Sequence, residues 1–152
     1  MIRRFGKAPI GGKRYVFRRG VYAILPKEGE LLLTFQAAPF EEVQLPGGGI
    51  EPGESPVQAL HREVFEETGW KIASPRRLGA FRRFTFMPDY DIWAEKLCEI
   101  YVARPVLRLA EPSEAAHTAI WVSVQLAAEM LGNSGDRNFA ARYAGGEFTG
   151  LP

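Results

Sequence analysis

The sequence is poor in cysteine, in long apolar runs and in net charge. Its 152 residues contain one cysteine, Cys98, which excludes an intrachain disulfide and gives no sign of a cysteine-based zinc cluster. No apolar run approaches the roughly 20 residues of a membrane helix, and the basic N-terminus lacks the apolar segment of a secretory signal. The net charge of +1 gives no overall argument for nucleic-acid binding. We therefore expect one domain over residues 1–152, cytoplasmic and not bound to a membrane.

A capped amphipathic segment follows a glycine-rich turn near the middle of the chain. Ser55 precedes Pro56, and Gln58 lies three residues after Ser55, which is a capping box with proline at the first helical position. This pattern predicts a helix from about Pro56 to about Thr68, ended by Gly69. The residues expected on its buried face are Val57, Leu60, Val64 and Thr68.

Three glutamates cluster on a neighbouring face of this predicted helix. Glu63, Glu66 and Glu67 are related by steps of three and four residues, so their carboxylates repel one another. Arg62 can pair with Glu66, but one arginine cannot neutralise three acids. Hard divalent cations prefer carboxylate oxygens, and Mg²⁺ is commonly held by a few carboxylates together with substrate phosphates. The spacing therefore indicates a metal site, and a solvated acidic helix face is the alternative.

Residues 48–70 resemble the Nudix box, G-x5-E-x7-R-E-U-x-E-E-x-G-U, in which U is a bulky apolar residue. Every fixed position is filled, by Gly48, Glu54, Arg62, Glu63, Val64, Glu66, Glu67 and Gly69. Trp70 occupies the last apolar position, where the family more often has an aliphatic residue. Val43 stands where an aromatic residue is frequent. On these residues the chain is similar to the Nudix (MutT-like) hydrolases over roughly residues 18–145.

The resemblance implies the fold, the cofactor and the roles of the box residues. It implies the α/β Nudix fold, a mixed β-sheet sandwiched between α-helices, and a Mg²⁺ cofactor for which Mn²⁺ can substitute. Metal ligation and catalysis would fall to Glu63, Glu66 and Glu67, with the carbonyl of Gly47 as a further ligand and Arg62 positioning the carboxylates. Gly48 and Glu54 would be supporting residues, with Glu54 stabilising the loop or an additional metal ion. Which carboxylate acts as the general base varies across the family and stays open.

Several residues outside the box are further candidates for the site. An extra carboxylate is expected from Glu114, which lies in the loop before Trp121, or failing that from Glu99. The substrate-binding candidates are Arg82, Phe84 and Phe86, because an aromatic ring can stack on a base and a cation can contact phosphate. Alternate aromatics that fill a core are the competing interpretation of this segment. We interpret His61 as an exposed helix residue, His117 as a loop residue and Cys98 as a small core residue.

Alternation and turn residues predict the remaining elements. Segments 15–25 and 31–35 are expected to form the two arms of a hairpin. Segment 93–103 is expected to be the central strand, with Cys98, Ile100 and Val102 alternating against Leu97, Glu99 and Tyr101. The other predicted strands are 43–45, 71–74, 76–86, 106–109 and 120–122. Two late helices are predicted at 124–131, capped by Ser123, and at 137–143, capped by Asp136.

The N-terminal segment is locally basic. Residues 1–20 carry seven lysines and arginines and no acid, so they could contact polyphosphate or RNA. We favour the interpretation of residues 1–13 as a solvated, partly mobile arm that can be deleted without loss of the fold.

The sequence thus predicts a Mg²⁺-dependent hydrolase that cleaves the diphosphate bond of a nucleoside diphosphate linked to another group. Nucleoside triphosphates, nucleotide sugars and ADP-ribose are substrates of this type. A dinucleoside polyphosphate hydrolase or an RNA 5′-pyrophosphohydrolase is the first alternative, with the basic arm as mild support. A non-catalytic nucleotide sensor of the same fold is the second alternative, although such a protein would be expected to lose box carboxylates. A homodimer is compatible with the resemblance.

Overall fold

The computed structural model describes residues 2–148, and these residues form nine strands and three helices. In chain order they are β1 (Arg3–Arg4), β2 (Val16–Ile24), β3 (Pro26–Lys27), β4 (Glu30–Gln36), β5 (Glu42–Gln44), β6 (Gly47–Gly49), α1 (Pro56–Thr68), β7 (Trp70–Met87), β8 (Ile92–Arg108), β9 (His117–Ser123), α2 (Val124–Met130) and α3 (Ser134–Ala144). None of these three helices is long and apolar enough to cross a membrane.

The strands form two sheets, one mixed and one antiparallel. The first sheet has the order β1-β7-β8-β2-β6, in which β2 runs parallel to β8 while β7 and β6 are antiparallel to their neighbours β8 and β2. In the second sheet, β4 is antiparallel to β3, β5 and β9. The predicted central strand is confirmed, since β8 is the middle strand of the first sheet and extends to Arg108.

Two apolar clusters cover opposite sides of this framework, because successive strand residues point to opposite faces. Val21 and Ala23 of β2 belong to the cluster that α1 covers with Leu60 and Val64. The cluster on the other side contains Ile24, Leu33, Ile100 and Val102, and it is covered by Ala127 of α2 and by Phe139 and Ala140 of α3. The α/β arrangement implied by the resemblance, a mixed sheet between helices, is therefore confirmed.

The predicted hairpin between segments 15–25 and 31–35 is only partly correct. Just two register pairs join its arms, Pro26 with Leu31 and Lys27 with Glu30. Strand β2 instead pairs with β8 along its whole length, and β4 pairs with β9 in the other sheet. The chain passes from one sheet to the other at residue 25, and long-range pairing of this kind leaves no local signal in the sequence.

Three further details differ from the predictions. Segments 71–74 and 76–86 are one strand, β7, whose ladder with β8 continues across register shifts after Lys71, Ala73 and Arg77. Val57 is 39% exposed and so lies outside the buried face of α1, which Ala59 joins instead. The last helix begins at Ser134, because the side chain of Asn133 accepts a hydrogen bond from the amide of Asp136 and caps it. Asp136 is therefore not the cap.

The N-terminal arm has more structure than its composition indicates. Arg3 and Arg4 form a two-residue edge strand parallel to β7. The ring of Phe5 makes an edge-to-face contact with the buried ring of Phe81, with 5.7 Å between the centroids. The ammonium group of Lys13 lies 3.5 Å from the centre of the Trp93 ring. Deletion of residues 1–13 would remove these contacts, so it is a poorer probe than charge-removing substitutions.

Candidate active site

Helix α1 carries the acidic face and is fixed at both ends. The hydroxyl of Ser55 accepts a hydrogen bond from the amide of Gln58, whose side chain in turn accepts one from the amide of Ser55. Gly69 ends the helix in the left-handed conformation, at φ 75°, and its amide donates to the carbonyl of Phe65. The predicted bounds of this helix and its caps are confirmed. Rigid ends hold the glutamates of the last two turns in one orientation.

Arg62 organises the carboxylates around it. Its guanidinium donates two hydrogen bonds to Glu54, at 2.7 and 2.9 Å, and one each to Glu63 at 2.9 Å and Glu66 at 3.2 Å. A further hydrogen bond of 2.9 Å reaches the carbonyl of Gly49 and joins helix and turn. Hydrogen bonds from Arg62 lower the pKa of Glu54 to about 2, and those to Glu54 raise the pKa of Arg62. This geometry supports the predicted positioning role of Arg62.

The glycine turn lies directly against the acidic face. The amide of Gly47 donates a 3.0 Å hydrogen bond to Glu67. A Cβ atom at Gly48 would approach the carboxyl carbon of Glu63 to 2.5 Å, a separation that real side chains do not show. The missing side chain of Gly48 is therefore what leaves room for the carboxylate of Glu63.

Glu67 is the most buried carboxylate of the set, only 6% exposed. Burial raises its pKa well above the usual value, and the nearby charge of Glu63 adds to this, while the hydrogen bond from Gly47 opposes it. Burial also raises the pKa of Glu63. The ring of His117 lies beside Glu67, with 3.4 Å between Nε2 and Oε2, and its Nδ1 is 2.9 Å from the hydroxyl of the buried Thr34. Burial lowers the pKa of His117, so the ring is a weak counter-charge for Glu67.

The donor chemistry of this face fits a hard divalent cation. Buried carboxylates with raised pKa values lack sufficient positive charge around them, and oxygen ligands suit Mg²⁺. Within residues 2–148, no group of three or more acidic, histidine or cysteine side chains is arranged to hold a metal ion by itself. A Mg²⁺ site that one or two carboxylates share with substrate phosphates does not require such a group. Glu63, Glu66 and Glu67, with the carbonyl of Gly47, remain the predicted ligands.

The two predicted extra carboxylates lie in different environments. Glu114 lines the same cavity as Glu63 and Glu67, and its amide donates a 3.2 Å hydrogen bond to the carbonyl of Glu66. Glu99 forms ion pairs with Arg19, at 2.8 Å, and with Arg77, at 3.5 Å. The geometry therefore favours Glu114 as the additional carboxylate, because Glu99 is already paired with two arginines.

A cavity of about 290 Å³ opens beside the carboxylates. Besides Glu63, Glu67 and Glu114, it is lined by a group that we call the inner wall: Tyr22, Arg83, Lys96, Cys98 and Asp136. Burial raises the pKa of Asp136 to about 6, and charge interaction with Tyr22 raises the pKa of Lys96. At neutral pH the inner wall thus presents two cations and one carboxylate.

The predicted substrate-binding residues do not lie in this cavity. Arg82 contacts Glu95 at 3.9 Å, and Phe84 and Phe86 pack against Tyr15 and Trp93, respectively, on the opposite face of β7. Their neighbour Arg83 lines the cavity instead. Arg82, Phe84 and Phe86 thus stay predictions as substrate-binding residues, while alternation along β7 puts Arg83 on the side of the buried Phe81.

Sequence reasoning also passed over three other residues of the cavity. Lys96 has the same parity as Cys98 and Ile100, so the alternation along β8 could have placed it on the inner wall. The role of His117 beside Glu67 depends on the pairing of β9 with β4, which is a long-range feature. Asp136 was interpreted as a cap, whereas its carboxylate accepts a 3.4 Å hydrogen bond from the amide of Leu45.

Together, the fold and the site define an α/β domain with an acidic helix face beside a ligand-sized cavity. A sequence model of the NUDIX domain matches residues 15–143. The chain therefore belongs to the Nudix family. The family membership predicted from the box, and with it the class of Nudix hydrolases, is confirmed.

Two curated relatives illustrate the range of named activities in the family. A putative 8-oxo-dGTP diphosphatase of Bacillus subtilis is 30% identical over 78 residues, which are 51% of this chain and 52% of that protein. An RNA pyrophosphohydrolase of Pectobacterium atrosepticum is 51% identical over 41 residues, 27% of this chain and 23% of that protein. The matched part thus spans about half the length of the Bacillus protein and about a quarter of the length of the Pectobacterium protein.

Solved structures support the fold. A NUDIX hydrolase from Nitrosomonas europaea superposes with a TM-score of 0.69 at 21% identity, covering 85% of this chain and 89% of that one. The MutT protein from Bacillus halodurans gives a TM-score of 0.66 at 24% identity, covering 82% of this chain and 80% of that one. At these identities the likeness concerns the fold alone.

Proposed function

We propose that this protein is a Mg²⁺-dependent pyrophosphohydrolase that cleaves the diphosphate bond of a nucleoside diphosphate linked to another group. The single observation that carries the proposal is the buried Glu67, with Glu63 and Glu114, at the edge of a cavity whose other wall bears cations. A purely structural acidic face would be solvated, whereas Glu67 is buried and Glu63 is half-buried against a glycine turn. The retention of every box carboxylate also argues against a non-catalytic sensor.

The residues divide the chemistry between them. Glu63, Glu66 and Glu67 would hold a divalent cation, which supplies neutralisation of the phosphoryl oxygens and lowers the pKa of bound water. Arg62 keeps these carboxylates at fixed positions through its hydrogen bonds. The candidate general bases, which would accept the proton of the attacking water, are Glu67 and Glu114. Separate Glu→Gln substitutions distinguish them, because only the base should shift the acidic limb of the pH–rate profile.

The inner wall suits the nucleoside end of such a substrate. Arg83 and Lys96 offer hydrogen-bond donors, Asp136 offers an acceptor when ionised, and Tyr22 adds a ring. The cavity volume of about 290 Å³ is just below the roughly 300–1,000 Å³ typical of small-ligand sites. A nucleoside in this cavity would place its phosphates towards the glutamates.

One observation favours RNA with a 5′-triphosphate as a second candidate substrate. Arg18 lies over the exposed ring of Tyr90, with 4.6 Å from the guanidinium carbon to the ring centre, and both residues line the same cavity. A ring and a cation together can hold a second nucleotide by stacking and phosphate contact. The name of the Pectobacterium relative is consistent with this alternative.

A substrate screen tests the proposal. Nucleoside triphosphates, nucleotide sugars, ADP-ribose, dinucleoside polyphosphates and 5′-triphosphate RNA are incubated with Mg²⁺, and the products are identified by anion-exchange chromatography. We expect Mg²⁺-dependent cleavage of a diphosphate bond in a small nucleotide, with a nucleoside monophosphate among the products. Absence of cleavage across the whole panel by folded protein would contradict the proposal, and preference for RNA would select the second candidate.

A further inference from the structure

Two polar side chains connect Glu67 with the second sheet. His117 of β9 lies beside the carboxylate, with 3.4 Å between Nε2 and Oε2, and its Nδ1 is 2.9 Å from the hydroxyl oxygen of Thr34 of β4. In the antiparallel ladder His117 is opposite Gln36 and Thr34 is opposite Ala119, so the two side chains are diagonal neighbours on one face. That face is turned towards α1, because Ala119 borders the apolar cluster that α1 covers.

The hydroxyl group of Thr34 determines which nitrogen of the His117 ring carries the proton. Thr34 is fully buried, and within residues 2–148 the ring of His117 is the one hydrogen-bond partner of its hydroxyl group. A buried hydroxyl proton without an acceptor costs free energy, so Thr34 donates to Nδ1 rather than accepting from it. A neutral imidazole has one N–H group, which is then at Nε2 and faces Glu67. Burial lowers the pKa of His117, which favours this neutral ring.

Glu67 thus has one donor group at each of its two carboxylate oxygens. The amide of Gly47 donates to Oε1 at 3.0 Å, and the Nε2–H group of His117 faces Oε2. The second separation is longer than the roughly 2.7–3.2 Å of an ordinary N–H···O hydrogen bond. Hydrogen bonds of catalytic groups are often long before the substrate binds and shorten in the complex. Each carboxylate oxygen accepts two hydrogen bonds, so one donor at each leaves lone pairs for a cation or a water molecule.

Thr34 and His117 differ in their access to the cavity. His117 lines the cavity beside the carboxylates, whereas Thr34 does not. Any effect of Thr34 on the reaction therefore has to pass through His117 and Glu67. Removal of its hydroxyl group thus separates the orientation of the ring from direct contact between the ring and the substrate.

We propose that Thr34 and His117 are positioning residues for Glu67. Thr34 fixes the tautomer and orientation of the ring, and His117 holds Oε2 through its Nε2–H group, so that the carboxylate keeps one orientation towards the cation or the attacking water. This inference rests on the proposed function, because it requires Glu67 to take part in the reaction. Partners that orient a metal-binding carboxylate typically contribute about 10–100-fold in metal affinity or activity.

Substitutions at Thr34 test the fixed orientation of the ring. Valine keeps the shape of threonine without the hydroxyl group, and serine keeps the hydroxyl group without the methyl group. We expect Thr34→Val to lower kcat for the best substrate about 10–100-fold with little change in KM, and Thr34→Ser to recover most of that loss. The control is Thr118→Val, at the exposed neighbour of His117 in β9, which should leave kcat unchanged. Equal kcat in the Thr34→Val and Thr34→Ser proteins would overturn the inference.

Two amide side chains at position 117 separate positioning from proton transfer. The side-chain nitrogen of glutamine extends about as far as Nε2, and that of asparagine about as far as Nδ1, so His117→Gln alone retains a donor for Glu67. We expect kcat of the His117→Gln protein to be about tenfold or more above that of His117→Asn. If the ring itself transferred a proton in the reaction, neither amide would replace it. Equal loss of activity in both proteins would therefore refute the positioning role.

The ring tautomer is a readout that does not depend on activity. Nitrogen-15 NMR of histidine-labelled protein, at pH 8 in excess chelator, distinguishes a protonated Nε2 from a protonated Nδ1. The other histidine, the exposed His61, is assigned with a His61→Gln protein. We expect the Nε2–H tautomer for His117 in the wild type and a detectable Nδ1–H fraction in Thr34→Val.

The outcomes of the NMR measurement keep the inference separate from the proposed function. The Nδ1–H tautomer in the wild type, or an unchanged tautomer in Thr34→Val, would contradict the inference whatever the activity. Absence of hydrolysis across the whole substrate panel, together with the expected tautomers, would overturn the proposed function alone.

Discussion

Replacing Glu67 by glutamine should lower activity while raising stability. The amide keeps the shape of the side chain, and its oxygen can still accept the 3.0 Å hydrogen bond from Gly47. It removes a charge that is 6% exposed and lies beside other acids. Whether Glu67 is a metal ligand or the base, its loss should reduce kcat by a factor on the order of 10² or more, about 2.7 kcal/mol in activation free energy.

The stability change follows from the raised pKa of Glu67. Because burial favours the neutral carboxyl group, ionisation costs free energy in the folded state, about 1.4 kcal/mol for each pKa unit. This cost is absent below the pKa that Glu67 has in the unfolded protein, and it grows as the pH rises towards the pKa that Glu67 has in the folded protein. The gain in free energy of unfolding from the glutamine substitution should therefore be largest above the folded-state pKa. Urea unfolding at pH 8 and pH 4, without divalent ions, measures the difference. A gain at pH 8 that disappears at pH 4 is expected.

Glu99 supplies the matched control. It is 5% exposed, like Glu67, but its charge is compensated by Arg19 and Arg77. Glu99→Gln should therefore lose about 1–2 kcal/mol of stability, because two partly exposed arginines lose their partner, and its kcat/KM should stay within about twofold. A folded Glu67→Gln protein with near-normal kcat, or a Glu99→Gln protein with the larger loss of activity, would refute this assignment of the two carboxylates.

Three further outcomes are expected. Gly48→Ala should reduce kcat roughly tenfold to a hundredfold, because its Cβ would displace the Glu63 carboxylate; circular dichroism checks that the fold is kept, and an unchanged kcat would contradict the role of the turn. Asp136→Asn should raise the free energy of unfolding at pH 8 by up to about 3 kcal/mol, because burial raises the pKa of Asp136 from 3.8 to about 6 and so makes its ionisation costly in the folded protein. The gain should vanish at pH 4, and a gain of equal size at both pH values would argue against ionisation as its cause. Glutamine at the four basic positions of residues 1–13 should leave kcat/KM for the best small nucleotide within about twofold, whereas a large loss in folded protein would show that the arm helps to build the site.

The acidic face could be predicted from the sequence because its determinants are local. The capping box at Ser55, the C-cap at Gly69 and the spacing of the glutamates all lie within one helix, and the structure reproduces its predicted bounds. The pairing of Arg62 with Glu66 across one turn was likewise predictable from helix geometry.

The surroundings of that face depend on contacts between distant parts of the chain. His117 reaches Glu67 only because β9 pairs with β4. Alternation along β8 gives the face on which Lys96 lies, but the cavity on that face is formed by residues from distant parts of the chain. The sequence also could not tell that Arg83 rather than Arg82 lines the cavity. These neighbours point to opposite faces of β7, and which face borders the cavity is known only once the sheet is assembled.

The most direct test of the central claim is the dependence of hydrolysis on Mg²⁺. The rate of cleavage of the best substrate is measured for the wild type across a Mg²⁺ titration that begins in excess chelator, and the titration is repeated with the Glu67→Gln protein. We predict no turnover in chelator, a saturable rise for the wild type, and for the variant a rate at least on the order of 10² lower at every Mg²⁺ concentration. Full turnover of the wild type in excess chelator would contradict the claim that the carboxylates of α1 act through a bound divalent cation.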